Sequence, residues 1–180
     1  MKPRSCRLRS TLTLRGAGAI AVACALCGYA ASAPGSPDRA LLVWNASASA
    51  PIGLYRLTHG RAFARGDLVL AVTGPSLGAF AARRDYLPLG VPLVKRIAAV
   101  AGDAVCARGN TIFIDGRFAA ARRAADGKGR TIPSWSGCRT LHRDEVFLLM
   151  ENVRDSFDGR YFGPTPDSRV VGLLDPLWTR

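Results

Sequence analysis

Val91-Pro92-Leu93-Val94-Lys95-Arg96-Ile97-Ala98-Ala99-Val100, closed by Ala101-Gly102-Asp103, reads as a β-strand running into a turn. Side chains two apart in a strand share a face, so Leu93, Lys95, Ile97 and Ala99 point one way and Val94, Arg96, Ala98 and Val100 the other. Lys95 therefore stands on a face that is otherwise apolar. Lost hydration disfavours an ammonium group and lowers its pKa, which prepares a lysine to act as a general base or an amine nucleophile. A lysine at a sheet edge that blocks aggregation fits the same strand equally well. Arg96, on the opposite face, either carries its charge past its stem to water or meets an acid.

Outward from this strand the pattern is of further short strands. Leu41-Leu42-Val43-Trp44, residues 53–57 and Leu68-Val69-Leu70-Ala71-Val72 are apolar runs bounded by turn residues. Thr111-Ile112-Phe113-Ile114 followed by Asp115-Gly116 reads as the first half of a hairpin, and residues 145–150 and 170–174 as two more strands. Residues 74–90, rich in Pro, Gly and Arg, read as a surface loop with at most a turn of helix. Residues 119–138 read as irregular, with 126–130 mobile, solvated and without a function, and 151–161 as a polar loop. There are no internal repeats, heptads or phosphate-binding glycine loops, so the expected fold class is mostly β with antiparallel pairing.

The N-terminal portion differs in kind. Lys2, Arg4, Arg7, Arg9 and Arg15 precede the first acid, Asp38, and residues 16–33 are uncharged and rich in alanine and glycine. As a helix that run spans about 27 Å, near the ~30 Å of a bilayer's hydrocarbon core. The basic residues on its N-terminal side place that end in the cytoplasm and the rest of the chain outside. The alternative is a cleaved signal peptide, since Ala31-Ser32-Ala33 resembles a small-residue cleavage site. The expected organisation is a tail, membrane segment and linker over residues 1–37 and an extracytoplasmic domain over 38–180, large enough for one core.

Five of the +12 formal charges lie in that N-terminal cluster and the rest of the chain carries +7, with no basic stripe interleaved with aromatics and no paired Cys/His spacing, so no nucleic-acid partner is expected. Of 25 basic residues only Lys2, Lys95 and Lys128 are lysines, and arginine cannot serve as a base at usable pH. Cys6, Cys24 and Cys27 lie in or before the apolar run, and the remaining two, Cys106 and Cys138, form an even pair that an oxidising compartment would join as a disulfide. Two free buried thiols are the alternative. His59 lies in a polar turn and His142 beside Arg143 and Asp144, neither in a nucleophile motif, and two dispersed histidines offer no metal-ligand cluster; no metal and no cofactor are expected.

Asn45-Ala46-Ser47-Ala48-Ser49-Ala50-Pro51-Ile52-Gly53-Leu54-Tyr55 sets two serines among small residues ahead of a proline and a glycine, a composition suited to exposing a hydroxyl. Three stretches together resemble the three boxes of type I signal peptidases, in particular the conjugative-transfer, TraF-type branch that processes pilin precursors. They are Ser49-Ala50-Pro51-Ile52-Gly53-Leu54-Tyr55, Lys95-Arg96-Ile97-Ala98-Ala99-Val100-Ala101-Gly102-Asp103 and Asp155-Ser156-Phe157-Asp158-Gly159-Arg160-Tyr161-Phe162-Gly163-Pro164.

The resemblance implies a Ser-Lys serine endopeptidase in a fold of two antiparallel sheets behind a single membrane helix, working at the outer face of the inner membrane. Its partners would be membrane lipid and precursor proteins with signal peptides, a conjugative pilin among them, cut after small residues. Ser49 would be the nucleophile and Lys95 its base, with the Ser49 backbone N–H and the Ser47 hydroxyl receiving the oxyanion. Ser156 would orient the lysine, and Asp158 and Arg160 would brace the site with Arg96 in support, although Asp155 competes with Asp158 for the bracing role. Two other readings share the residues: a Ser-Lys protein that cleaves itself, and an inactive pilus-assembly or envelope component.

Overall fold

The computed structural model describes residues 42–60 and 62–180. The expected membrane segment at 16–33, the first residue of the 41–44 run and the three N-terminal cysteines lie outside the described residues. No helix among the described residues is long and apolar enough to cross a membrane.

Among the described residues, eleven strands build two sheets, and every strand pair is antiparallel. The larger sheet takes β1 (Leu42–Asn45), β2 (Gly53–Thr58), β3 (Leu68–Ala71), β4 (Leu93–Ala99), β9 (Glu145–Leu148), β10 (Thr165–Pro166) and β11 (Val170–Thr179). They lie in the order β1-β2-β11-β3-β4-β9-β10. The smaller sheet takes β5 (Ala104–Arg108), β6 (Thr111–Ile114), β7 (Arg117–Ala121) and β8 (Gly137–Thr140), in the order β7-β6-β5-β8. The mostly β, antiparallel expectation therefore holds.

Strand β4 occupies an interior place, between β3 and β9. Its pairing with β3 sets Lys95 opposite Val69 and Arg96 opposite Leu68. Val69 and Ile97 are fully buried, and Lys95 is only 3% exposed. A sheet-edge role for Lys95 is thus excluded by its position. The hairpin expected at Asp115-Gly116 joins β6 to β7, with φ of 48° and 77° at the two turn residues, the left-handed pair that a two-residue connection needs. Ala99 and Phe147 of the larger sheet, with Leu149 just past β9, pack with Val105, Ile112 and Ile114 of the smaller one, giving the sheets a common core. Cys106 and Cys138 are in register across β5 and β8 and are joined as a disulfide.

Several expectations need correction. Residues 74–90 hold a helix of nine residues, α1 (Pro75–Arg83), where at most one turn was expected. Pro75 suits the first turn of a helix, where its missing N–H is no loss. Gly78 is buried in α1, and a Cβ there would meet the Thr73 side chain, with Oγ1 at 2.7 Å, so the close approach of that side chain outweighs glycine's poor helix propensity. Strand β11 continues to Thr179, well past the 170–174 run, because Asp175, Pro176 and Trp178 still pair with β2 across an irregularity. The 119–138 stretch is less irregular than its composition implies: β7 extends to Ala121, β8 begins at Gly137, and residues 126–130 form a closely hydrogen-bonded turn.

Candidate active site

Between β1 and β2 the chain makes a turn that carries both serines, and one amide organises it. Asn45 is buried; its Nδ2 donates to the carbonyls of Ser47 (2.9 Å), Ala50 (3.1 Å) and Pro51 (3.0 Å), and its Oδ1 accepts from the Ser47 backbone N–H (3.1 Å). Tyr55 Oη donates to the same Pro51 carbonyl at 2.6 Å. Ser47 is exposed and Ser49 half-buried at the crest. The two hydroxyl oxygens are 3.0 Å apart, and the Ser49 backbone N–H donates to Ser47 Oγ at 3.3 Å. One hydroxyl and one backbone donor thus converge beside Ser49 Oγ.

Lys95 reaches this turn from β4. Its Nζ donates to Ser49 Oγ at 2.9 Å and to the buried Ser156 Oγ at 2.9 Å. Burial pushes its pKa down from the ordinary 10.5 to about 8, while nearby Asp158 raises it and Arg160 lowers it. Those two charges act in opposite directions, so desolvation decides the outcome.

The polar loop expected at 151–161 contains the most buried charges of the described residues. Asp158 is 0% exposed and caps the short helix α2 (Gly159–Phe162) by accepting from the Arg160 backbone N–H. Its Oδ1 also accepts from Arg160 Nε (2.8 Å), and its Oδ2 accepts from Arg160 Nη2 (3.1 Å) and the Met150 backbone N–H (3.0 Å). Arg160 spends its other donors on the carbonyls of Met150, Ala121 and Arg154. Gly159 between them is obligatory, because a Cβ would lie 2.7 Å from the Leu148 carbonyl oxygen. Of the two competing aspartates Asp158 is the one in the buried pair; Asp155 is 69% exposed and pairs with Arg123 at 3.2 Å.

Ser47, Ser49, Lys95 and Ser156 line one cleft of about 360 Å³, as does Asp155, whereas the buried Asp158 and Arg160 are not in its lining. Arg96 does not join them: it is exposed on the opposite face of β4 and donates to the Gly66 carbonyl at 2.7 Å. Both histidines are exposed and away from the cleft. No group of three His, Cys, Asp or Glu side chains able to hold a metal occurs among the described residues.

Sequence reasoning missed three contributors. Asn45 opened the stretch that was singled out but received no role, since the carbonyls it gathers are defined only by the folded turn. Asp126 was assigned to a solvated loop, yet it lines the cleft together with Tyr86 and Gly127. Arg122, buried without a carboxylate among its hydrogen-bond acceptors, donates to the carbonyls of Trp135, Gly109 and Arg160 and ties β7 to the Arg160 segment.

Comparison with known proteins adds to this geometry. The family model described as signal peptidase, peptidase S26, matches residues 13–178. The plasmid transfer protein TraF of Escherichia coli is 33% identical over 174 residues, which cover 91% of this chain and 92% of that protein. The conjugal transfer protein TraF of Agrobacterium tumefaciens strain 15955 is 35% identical over 147 residues, 75% of this chain and 81% of its own length. Among solved structures, a signal peptidase I from Enterococcus faecalis V583 covers 64% of this chain and 98% of that one at 21% identity and a TM-score of 0.37, an overlap too limited to establish a shared fold.

Proposed function

The chain belongs to the signal peptidase family, peptidase S26, within its TraF-type branch, and from that premise we propose that it is a membrane-anchored serine endopeptidase with a Ser49–Lys95 dyad. The observation that carries the reading is the 2.9 Å contact between Ser49 Oγ and a buried amine whose pKa is depressed to about 8. At pH 8 roughly half of such an amine is neutral, and its lone pair then accepts the Ser49 proton along the same line.

In this reading Ser49 Oγ attacks the scissile carbonyl carbon as Lys95 takes the hydroxyl proton. The developing oxyanion turns to the Ser49 backbone N–H and the Ser47 hydroxyl, the two donors gathered at the crest of the turn. The intermediate collapses, the C–N bond breaks, and Lys95 returns its proton to the departing amine. Water, with Lys95 again as base, then hydrolyses the acyl ester. Ser156 holds the amine toward Ser49, and the Asp158–Arg160 pair holds the segment that carries Ser156.

The substrates are exported precursors with signal peptides, cut after small residues at the outer face of the inner membrane, with residues 16–33 as the anchor. The names of the transfer proteins related to this chain support a role in conjugation, and within that role a conjugative pilin precursor is the substrate proposed. The test is co-expression of candidate precursors with the wild type, Ser49→Ala and Lys95→Ala, followed by mass measurement. Cleavage by the wild type and loss of about 10⁴-fold or more in both variants is expected. Full activity in either variant overturns the dyad, and a product lighter than the linear one by one water shows that an amine of the substrate resolves the acyl-enzyme.

A further inference from the structure

The loop at 126–130 is organised around a single carboxylate. Asp126 Oδ2 accepts from Tyr86 Oη and from Arg130 Nε, both at 2.7 Å, and Oδ1 accepts from the backbone N–H groups of Lys128 and Arg130, both at 2.9 Å. Arg130 also donates to the Arg84 carbonyl at 2.8 Å, and Arg84 donates to the Thr131 carbonyl at 3.3 Å. A turn distant in sequence is thereby fastened to the segment that leaves α1. The Tyr86 ring in turn lies 5.2 Å from the ring of Phe157, the residue after Ser156.

Tyr86, Asp126, Gly127 and Ile132 line the same cleft as Ser49 and Lys95. With both oxygens engaged by four donors, Asp126 is already satisfied and serves as a fastening. Burial pushes its carboxyl upward, but the donors from Tyr86, Arg130 and Lys128 hold it well below the usual carboxylate range. It stays ionised where Lys95 titrates, so the fastening does not open with pH. The apolar part of the lining is Leu87, Leu93, Ile132 and Phe157, the Arg123–Asp155 ion pair also faces the cleft, and Gly127 contributes backbone without a side chain.

We infer that the Tyr86–Asp126–Arg130 clasp sets the width of the cleft and thereby selects, by size, the apolar side chain of an extended peptide that enters beside Ser49. The inference rests on the peptidase reading for its consequence in catalysis, but binding tests it independently. The probes are ten-residue peptides that differ only at one position, Ala, Val, Leu or Phe, titrated by fluorescence anisotropy against the full chain carrying Ser49→Ala. An intact clasp should favour Ala over Leu by about 10- to 200-fold, the range a few methylenes produce in a fitted pocket. Adding Tyr86→Phe, which keeps the ring and removes only the hydroxyl, should lower that ratio by about tenfold, and Asp126→Asn should do the same. Gly127→Leu, where a Cβ meets nothing within 4 Å, should weaken binding, most for the largest side chain.

With Ser49 present, the ratio of kcat/KM between the Ala and Leu peptides should follow the binding ratio, while the acid limb of the pH profile stays where Lys95 puts it. An unchanged ratio in Tyr86→Phe, affinities untouched by Gly127→Leu, or failure of every peptide to bind overturns the inference. Selective binding that responds to the clasp, without cleavage by the Ser49 chain, overturns the peptidase reading and leaves the clasp standing.

Discussion

The serine half of the site is a surface turn, whereas the lysine half is a buried lattice of charges and hydroxyls. Ser47 is exposed, and its turn depends on the Asn45 amide and the Tyr55 hydroxyl. Lys95, Ser156, Asp158 and Arg160 are all at most 3% exposed, and no buried side-chain nitrogen or oxygen among the described residues lacks a hydrogen-bond partner. The difference follows from what each half must do. A buried charge is costly unless its partners are fixed in advance, so the amine and its frame are built into the fold. A hydroxyl that must meet another protein's backbone has to remain near the surface, where holding it demands less.

The strongest challenge to this comparison is Arg160→Met, which leaves Asp158 buried and unpaired. It should cost about 3–5 kcal/mol of stability, read by denaturant unfolding. A loss under about 1 kcal/mol would mean that the frame is no more rigid than the turn. Next comes Ser47→Ala, with an expected loss of about 2.7–4 kcal/mol in transition-state stabilisation, read from kcat/KM. Its unfolding free energy should stay within about 0.5 kcal/mol of the wild type, as for other surface changes. A large stability loss there would make the turn part of the frame.

The pH response sharpens the contrast with a smaller effect. With Lys95 near 8, kcat/KM should fall about tenfold per pH unit below that value and level off above it. Stability should move too. Between about 8 and 10.5 the unfolded chain binds the Lys95 proton and the folded chain does not, so the folded state gains as pH rises through that window and sits on its lower plateau below it. Lys95→Met should remove that slope in a pH series of thermal melts. A slope that persists would place the titration elsewhere.

How far the molecule could be read from its residues depends on how local each cause is. The alternation from Leu93 to Ala99 and the Asp115-Gly116 turn act over neighbouring residues, so the strand, its apolar face and the hairpin were legible. The Ser49, Lys95 and Ser156 set was legible through resemblance, and the alternation independently pointed to Lys95. Helix α1 was not, because its stretch carries Pro and Gly, and the buried Gly78 and Ala81 make sense only against other parts of the chain. Asp126 was hidden for a related reason: its turn looks solvated until Tyr86 arrives from another segment. Arg96 was expected in the supporting set although the alternation sets it on the face away from Lys95, and on that face it donates to the Gly66 carbonyl.

Strand β11 lies between β2 and β3 and pairs with both, so in the larger sheet the β1–β2 hairpin has hydrogen-bonded continuity with β3 and β4 only through it. Ser49 rides on that hairpin and Lys95 on β4. A chain that emerges N-terminus first therefore carries its two reactive groups on separate pieces of sheet until residues 170–179 arrive to splice them. Pairing over such sequence distances is slow to form. Assembly order itself thus postpones the pairing of hydroxyl and amine until β11 has been delivered.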